Sequence, residues 1–159
     1  MNTPIIQNHP LVHGPADGEH VRFWENLGTR RMAPGVVEHD LPAKRLGAPT
    51  HTHANEDEWS YILSGELTAQ IGDEILVAGP GVMVRKPRGI PHAMWNAGDE
   101  PVRFLEIMHP AGFEEYFFEI ADALNAMDFE TAGAVMARFG LALDMDSVPR
   151  LVAAHGLEG

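Results

Sequence analysis

The chain has 159 residues, 45% of them hydrophobic, no cysteine and a formal net charge of -12. That length and apolar content fit a single folded domain with a sizeable core, and the missing cysteine excludes disulfide staples and thiolate chemistry. The acidic balance argues against a nucleic-acid partner, no stretch approaches membrane-spanning length, and no basic segment followed by an apolar run marks a signal peptide, so a cytoplasmic protein without a membrane partner is expected.

In chain order, residues 1–20 hold Pro4, Pro10, Gly14, Pro15 and Gly18 among short apolar runs and read as an irregular arm with a short strand at Ile5-Ile6. Val21 to Trp24 and Thr29 to Met32 read as strands around a turn, and Val36 to Leu41 as another. Pro42 to Pro49 reads as a loop leading into a strand at Thr50 to His53. Further short strands follow at Glu58 to Leu63, Glu66 to Ile71, Glu74 to Val77, Val82 to Arg85, His92 to Asn96 and Val102 to Met108. Glycine or proline turns separate them, the pattern of a sandwich or barrel. After Met108 the period becomes helical. Phe113, Phe117, Ile120 and Leu124 make one apolar stripe. Asp128 caps a second helix that ends before Gly140, and Asp146 or Ser147 caps a third with Pro149 in its first turn and Gly156 at its end.

The chemistry concentrates in His51-Thr52-His53 and the acidic run Glu56-Asp57-Glu58. Residues i and i+2 of a strand point the same way, so His51 and His53 can share a face. A short turn then lets a carboxylate return on the next strand, and His92 can supply a fourth donor from elsewhere. Three nitrogens and one oxygen suit a first-row divalent metal (Mn, Fe, Co, Ni, Cu or Zn) and suit calcium or magnesium poorly. Six other histidines, His9, His13, His20, His39, His109 and His155, read as ordinary surface or hydrogen-bonded core residues, and Glu56-Asp57 as a solvated turn. Arg85, Lys86 and Arg88 are a candidate anion contact, with solvated loop charges the plainer reading.

These residues resemble the two motifs of the cupin superfamily. The first, G-x5-H-x-H-x3,4-E-x6-G, is matched by His51, His53, Glu58 and Gly65, except that Gly47 stands four residues before His51 rather than six. The second, G-x5-P-x-G-x2-H-x3-N, is matched throughout by Gly81, Pro87, Gly89, His92 and Asn96. The resemblance implies an all-β double-stranded β-helix, a jelly-roll barrel. It divides the single domain into an N-terminal arm with strands (1–34), a barrel core (35–110) and a C-terminal helical extension (111–159). It also implies His51, His53, Glu58 and His92 as metal ligands for Fe, Mn, Ni, Cu or Zn, with Glu58 as a proton acceptor. The helical tail is similar to that of small cupins grouped as quercetin-dioxygenase-like. The implied activity is a dioxygenase or oxygenase acting on a phenolic, enol or flavonol-like small molecule. A non-redox isomerase, lyase or cyclase, and a metal-dependent binding protein, are the alternatives.

Strand parity extends the reading. If Glu58 and His92 face inward, so do Ser60, Ile62, Met94 and Asn96, which become candidate pocket residues. Trp59, Tyr61 and Trp95 then face outward. An apolar outer face of that size calls for a cover, and a homodimer is the expectation, with the C-terminal helices or N-terminal arm as other covers.

Overall fold

The computed structural model describes residues 27–158; the expected strands at Ile5-Ile6 and Val21 to Trp24 lie outside them. Ten strands run in the order β1 (Gly28–Ala33), β2 (Val36–Leu41), β3 (Arg45–His53), β4 (Asp57–Ser64), β5 (Leu67–Ile71), β6 (Glu74–Ala78), β7 (Met83–Lys86), β8 (His92–Asn96), β9 (Val102–His109) and, after two helices, β10 (Leu141–Asp144). The helices are α1 (Glu114–Asn125), α2 (Phe129–Arg138) and α3 (Ser147–His155). No helix among the described residues is long and apolar enough to cross a membrane.

The strands form two antiparallel five-stranded sheets, ordered β1-β2-β9-β4-β7 and β10-β3-β8-β5-β6. They pack as a jelly-roll sandwich and are not closed into one hydrogen-bonded barrel. Alternation drives the packing. In β4, Glu58, Ser60 and Ile62 are buried while Trp59 and Tyr61 are half-buried and Leu63 is exposed. Inward residues of both sheets, among them Leu41, Ile62, Val84 and Phe104 from one and Leu67, Ala69 and Met94 from the other, make the central core.

A second apolar cluster caps one end of the space between the sheets. Val37 and Met108 share an inner face with Leu41 and Phe104, yet they pack against Phe113, Tyr116, Ile120 and Leu124 at and within α1 and against Val135 of α2. Between the two clusters on that face stand His39 on β2 and Glu106 on β9. The Asp128 side chain accepts from Thr131 N at 2.9 Å, and Gly140 and Gly156 take left-handed φ of 64° and 62°, as expected; α3 starts after Asp146 without a side-chain cap, because Ser147 Oγ is taken by Asp144 O and Thr50 N.

Three expectations are corrected. The stretch from 42 to 49 is mostly strand: β3 begins at Arg45, and its pairing with β8 shifts register between Leu46 and Ala48 and again between Ala48 and His51. Gly47 and Pro49, which signal a loop, sit at these bulges, where a strand tolerates a missing side chain or a missing N–H. Second, β10 had no strand signal; it forms by pairing Leu141 with His53 and Leu143 with His51. Third, Trp59, Tyr61 and Trp95 do not make one face, because β4 and β8 belong to different sheets. Trp95 is fully buried with Leu46, Leu151 and Leu157 beneath α3, and its ring stacks on His155 at 4.2 Å.

Candidate metal centre

The ligand strands are held before any ion enters. His51 and His92 are directly paired across β3 and β8, with ring centroids 4.3 Å apart. The bulge beside them leaves the Thr50 N–H free of the ladder, and Ser147 Oγ at the start of α3 accepts it at 2.8 Å. The 87–91 turn is latched twice: Gly89 N donates to His53 O at 2.8 Å and Arg88 N to Asp57 Oδ1 at 2.9 Å.

His51, His53, Glu58 and His92 converge, each offering one donor atom, all within 4.8 Å of one another. Donors on opposite sides of an ion with bonds of about 2.1 Å lie about 4.2 Å apart, so the cluster needs to close by less than an ångström. The proton positions fit a cation. His51 Nδ1 lies 2.7 Å from Pro49 O and His92 Nδ1 lies 3.0 Å from Ile90 O. A carbonyl only accepts, so Nδ1 carries the proton in both rings and Nε2 keeps its lone pair. Yet Glu58 Oε2 sits 3.2 Å from His92 Nε2 and 3.3 Å from His53 Nε2. With the His92 proton on Nδ1, its Nε2 lone pair faces a carboxylate oxygen, an arrangement that a positive ion among them resolves. Burial pulls the His51 imidazole well below its usual pKa, reinforced by the other two rings, and burial likewise lowers His92 against the opposing pull of Glu58.

Lys86 is the counter-charge already in place. It is 2% exposed, not a solvated loop charge, because it is the last residue of β7 and points inward beside Glu58. Its Nζ lies 2.7 Å from Glu106 Oε2 and 3.4 Å from Glu58 Oε2. Burial works to strip its proton, but Glu106 and then Glu58 outweigh that and raise its pKa. Burial also pushes Glu58 upward, and it is overcome by Lys86 first and the histidines next, so Glu58 stays ionised well below the usual carboxylate range. Glu106, buried near that second carboxylate, is pushed up to about 7 despite Lys86, and Ser60 Oγ donates to it at 3.0 Å. Arg85 and Arg88 are exposed, with Arg88 bound to Asp57.

A cavity opens onto the cluster, with about 430 Å³ of space when the solvent at its mouth is included. Its ionisable lining includes His39, His51, His53, Glu58, Lys86 and Glu106, with Tyr116 beside them; Leu27, Met94, Phe113, Phe117, Leu141 and Leu143 supply most of the rest. Of the pocket residues expected from parity, Met94 lines this space. Ser60 instead binds Glu106, Ile62 lies in the central core, and Asn96 is a structural residue. The Asn96 amide donates to Leu41, Pro42 and Glu100 carbonyls and accepts from Gly98 N, closing the β8–β9 turn. Inward parity is right for all four but does not say how far along the sheet the cavity extends. Glu56 is buried, not solvated, with Oε2 3.6 Å from His53 Nδ1, because the 54–57 turn folds back beneath the ligand strand. Among the cavity-lining residues missed in the sequence are His39, Glu106 and the aromatic residues Phe113, Tyr116 and Phe117, with Lys86 assigned to the wrong environment. The alternation of Glu106 with apolar residues in Val102 to Met108 was the available signal.

The fold is a mainly β sandwich with a buried His/His/Glu/His cluster between its sheets. Matched against known families, residues 37–108, a little under half of the chain, are similar to the cupin domain. A sugar phosphate isomerase of the cupin superfamily from Silicibacter pomeroyi aligns with a TM-score of 0.58 and 19% identity, over 66% of this chain and 74% of that one. A predicted oxalate decarboxylase from Thermotoga maritima aligns with a TM-score of 0.49 and 20% identity, over 52% and 78%. At these identities the likeness is one of fold. No curated protein matches the chain by sequence.

Proposed function

We propose that the protein is a metal-dependent enzyme acting on a small, largely apolar compound that carries an enol, phenol or similarly acidic oxygen, with oxygenase chemistry as the first reading. The observation that carries it is the juxtaposition of the four-ligand cluster with a cavity whose other walls are aliphatic and aromatic. Such a wall favours a ring or conjugated body and keeps water from it. A sugar phosphate fits poorly. Lys86 is the one lysine or arginine among the described lining residues, and two carboxylates already engage it.

A transition ion held by His51, His53, Glu58 and His92 supplies Lewis acidity toward a substrate oxygen and, if redox-active, a path for electrons. The chain supplies the rest. Glu58 Oε2 is positioned to accept a proton at the cluster, and Lys86 keeps that carboxylate ionised until it does. Phe113, whose ring lies 4.4 Å from that of His53, holds the substrate body against the ligand side of the cavity.

The buried Lys86–Glu106–Ser60 network supports a second reading, a non-redox isomerase, lyase or cyclase, because it can hold and pass protons without oxygen. A binding protein without turnover is the third. The test measures oxygen consumption and product formation by iron-, manganese-, nickel- or copper-loaded protein across flavonols, catechols and enols. Oxygen uptake with a modified product supports the first reading. Turnover that persists with zinc under anaerobic conditions replaces it with the second, and capture with release of unchanged ligand replaces it with the third.

A further inference from the structure

His39 reads from sequence as an ordinary histidine, yet it lines the cavity on β2, with β9 between its strand and that of Glu58. It is fully buried, and its Nε2 has no hydrogen-bond partner. Buried polar atoms without partners are uncommon and call for an explanation. The other ring nitrogen is accounted for: Nδ1 lies 3.0 Å from Thr29 Oγ1 on the paired strand β1, and a backbone hydrogen bond to Gly28 also acts on the ring. A backbone carbonyl accepts only, so the proton sits on Nδ1 and Nε2 is an open acceptor. Burial, followed by nearby Lys86, holds the ring neutral, with its pKa lowered to about 3. Aromatic rings connect this residue to the metal cluster. His53 meets Phe113 at 4.4 Å, Phe113 meets Phe117 at 5.8 Å and Phe117 meets His39 at 4.9 Å.

We infer that His39, held at Nδ1 by the Gly28 backbone and Thr29, is a substrate-positioning residue whose Nε2 accepts a hydrogen bond from a hydroxyl at the far end of a planar substrate. The substrate class is narrowed accordingly. One acidic oxygen sits at the metal, the flat apolar body lies along Phe113 and Phe117, and a hydrogen-bond donor stands at the other end. Strands β2 and β4 are two spacings apart, roughly 10 Å, and the side chains reach inward from both, so a two-ring compound spans the gap. The inference rests on the reading that a phenolic or enolic oxygen binds at the cluster, but not on oxygen chemistry.

The test uses full-length protein loaded with redox-inert zinc, so that binding is read without turnover. The probes are 2,6-dihydroxynaphthalene and 6-methoxy-2-naphthol, which differ in whether the distal oxygen can donate. Wild-type protein should bind the diol about tenfold more tightly, the scale of one hydrogen bond to a buried acceptor. His39→Leu should abolish that preference while leaving the methoxy compound's affinity unchanged, and His39→Gln, which places an acceptor near the same point, should restore part of it. Nitrogen-15 spectra of the wild-type His39 ring should show the proton on Nδ1, a readout independent of any variant's folding. Equal binding of the two probes, binding of neither, or a proton on Nε2 overturns the inference. Absence of oxygen consumption refutes the oxygenase reading alone and leaves this comparison standing.

Discussion

Replacing Lys86 with methionine isolates the buried charge network from the rest of the site. Lys86 Nζ is 2.7 Å from Glu106 and 3.4 Å from Glu58, and all three side chains are nearly inaccessible. At an effective dielectric of about 20 the two attractions are about 6 and about 5 kcal/mol, and desolvation of the ammonium offsets several kcal/mol of that. Methionine fills similar volume but leaves two buried carboxylates without a counter-charge, for which a loss of about 3–5 kcal/mol is expected in metal-free protein. For a chain of this length that is about 6–20 °C in melting temperature. The sign of the pH dependence follows. Glu106 is already raised to about 7 with Lys86 present; without Lys86 it climbs further and Glu58 loses the charge that lowers it, so the native state of the variant binds more protons than wild type and its stability falls more steeply as pH rises. The deficit relative to wild type is therefore larger at pH 8 than at pH 5. Lys86→Met/Glu106→Leu should recover most of the loss, since an apolar pair can replace a buried ionic one. Urea denaturation of chelator-treated protein at both pH values reads all of this. A loss below about 1 kcal/mol, or a double variant no better than the single, would show that the pair is not the buried, desolvated one described.

Three further outcomes are expected. With the His51 and His92 pKa values already lowered, chelator-competition affinity for zinc should fall between pH 7 and 6 by well under the roughly 1.5 log units expected of three ordinary histidines near ~6.5; a fall of that full size contradicts the lowered values. Gly65→Ala should cost at least about 2 kcal/mol in urea denaturation, because Gly65 has a φ of 75° and an added Cβ would lie 2.5 Å from Pro101 O; a neutral substitution would mean the β4–β5 turn is placed wrongly. Asp128→Ala should cost about 1 kcal/mol through loss of the cap on Thr131 N, with hydrogen exchange accelerated in the first turn of α2 and not in β3.

The four candidate ligands and the strands that carry them were legible because the chemistry is local: an i, i+2 histidine pair on one strand, a returning carboxylate, and glycine and proline at fixed turn positions. Gly65 shows why such spacings are informative, since its left-handed backbone and the close Pro101 carbonyl admit no side chain. What sequence could not show is set by neighbours distant in the chain. Whether Lys86 faces solvent or two carboxylates depends on β7 lying beside β4. Leu141 to Asp144 become a strand only because the outer edge of β3 is open to pair with them. Alternation placed Ser60, Ile62, Met94 and Asn96 inward, but the inner face is divided among a core, a cavity and a turn. Only the packing of α1 and α2 decides where the cavity lies.

The route of the chain from β9 to β10 has a consequence for how such a protein can diversify. β9 belongs to one sheet and β10 to the other, and the segment between them carries α1 and α2. Both attachment points are ladders: β9 pairs with the Glu58 strand, and β10 with the strand of His51 and His53. The helical segment is thus a replaceable cassette whose ends are registered to the metal ligands, while its interior supplies Phe117 and borders on Phe113 and Leu141 of the cavity wall. Changes in its length or sequence can reshape the cavity wall without moving a candidate ligand, so the cluster and the space beside it are set by separable parts of one chain.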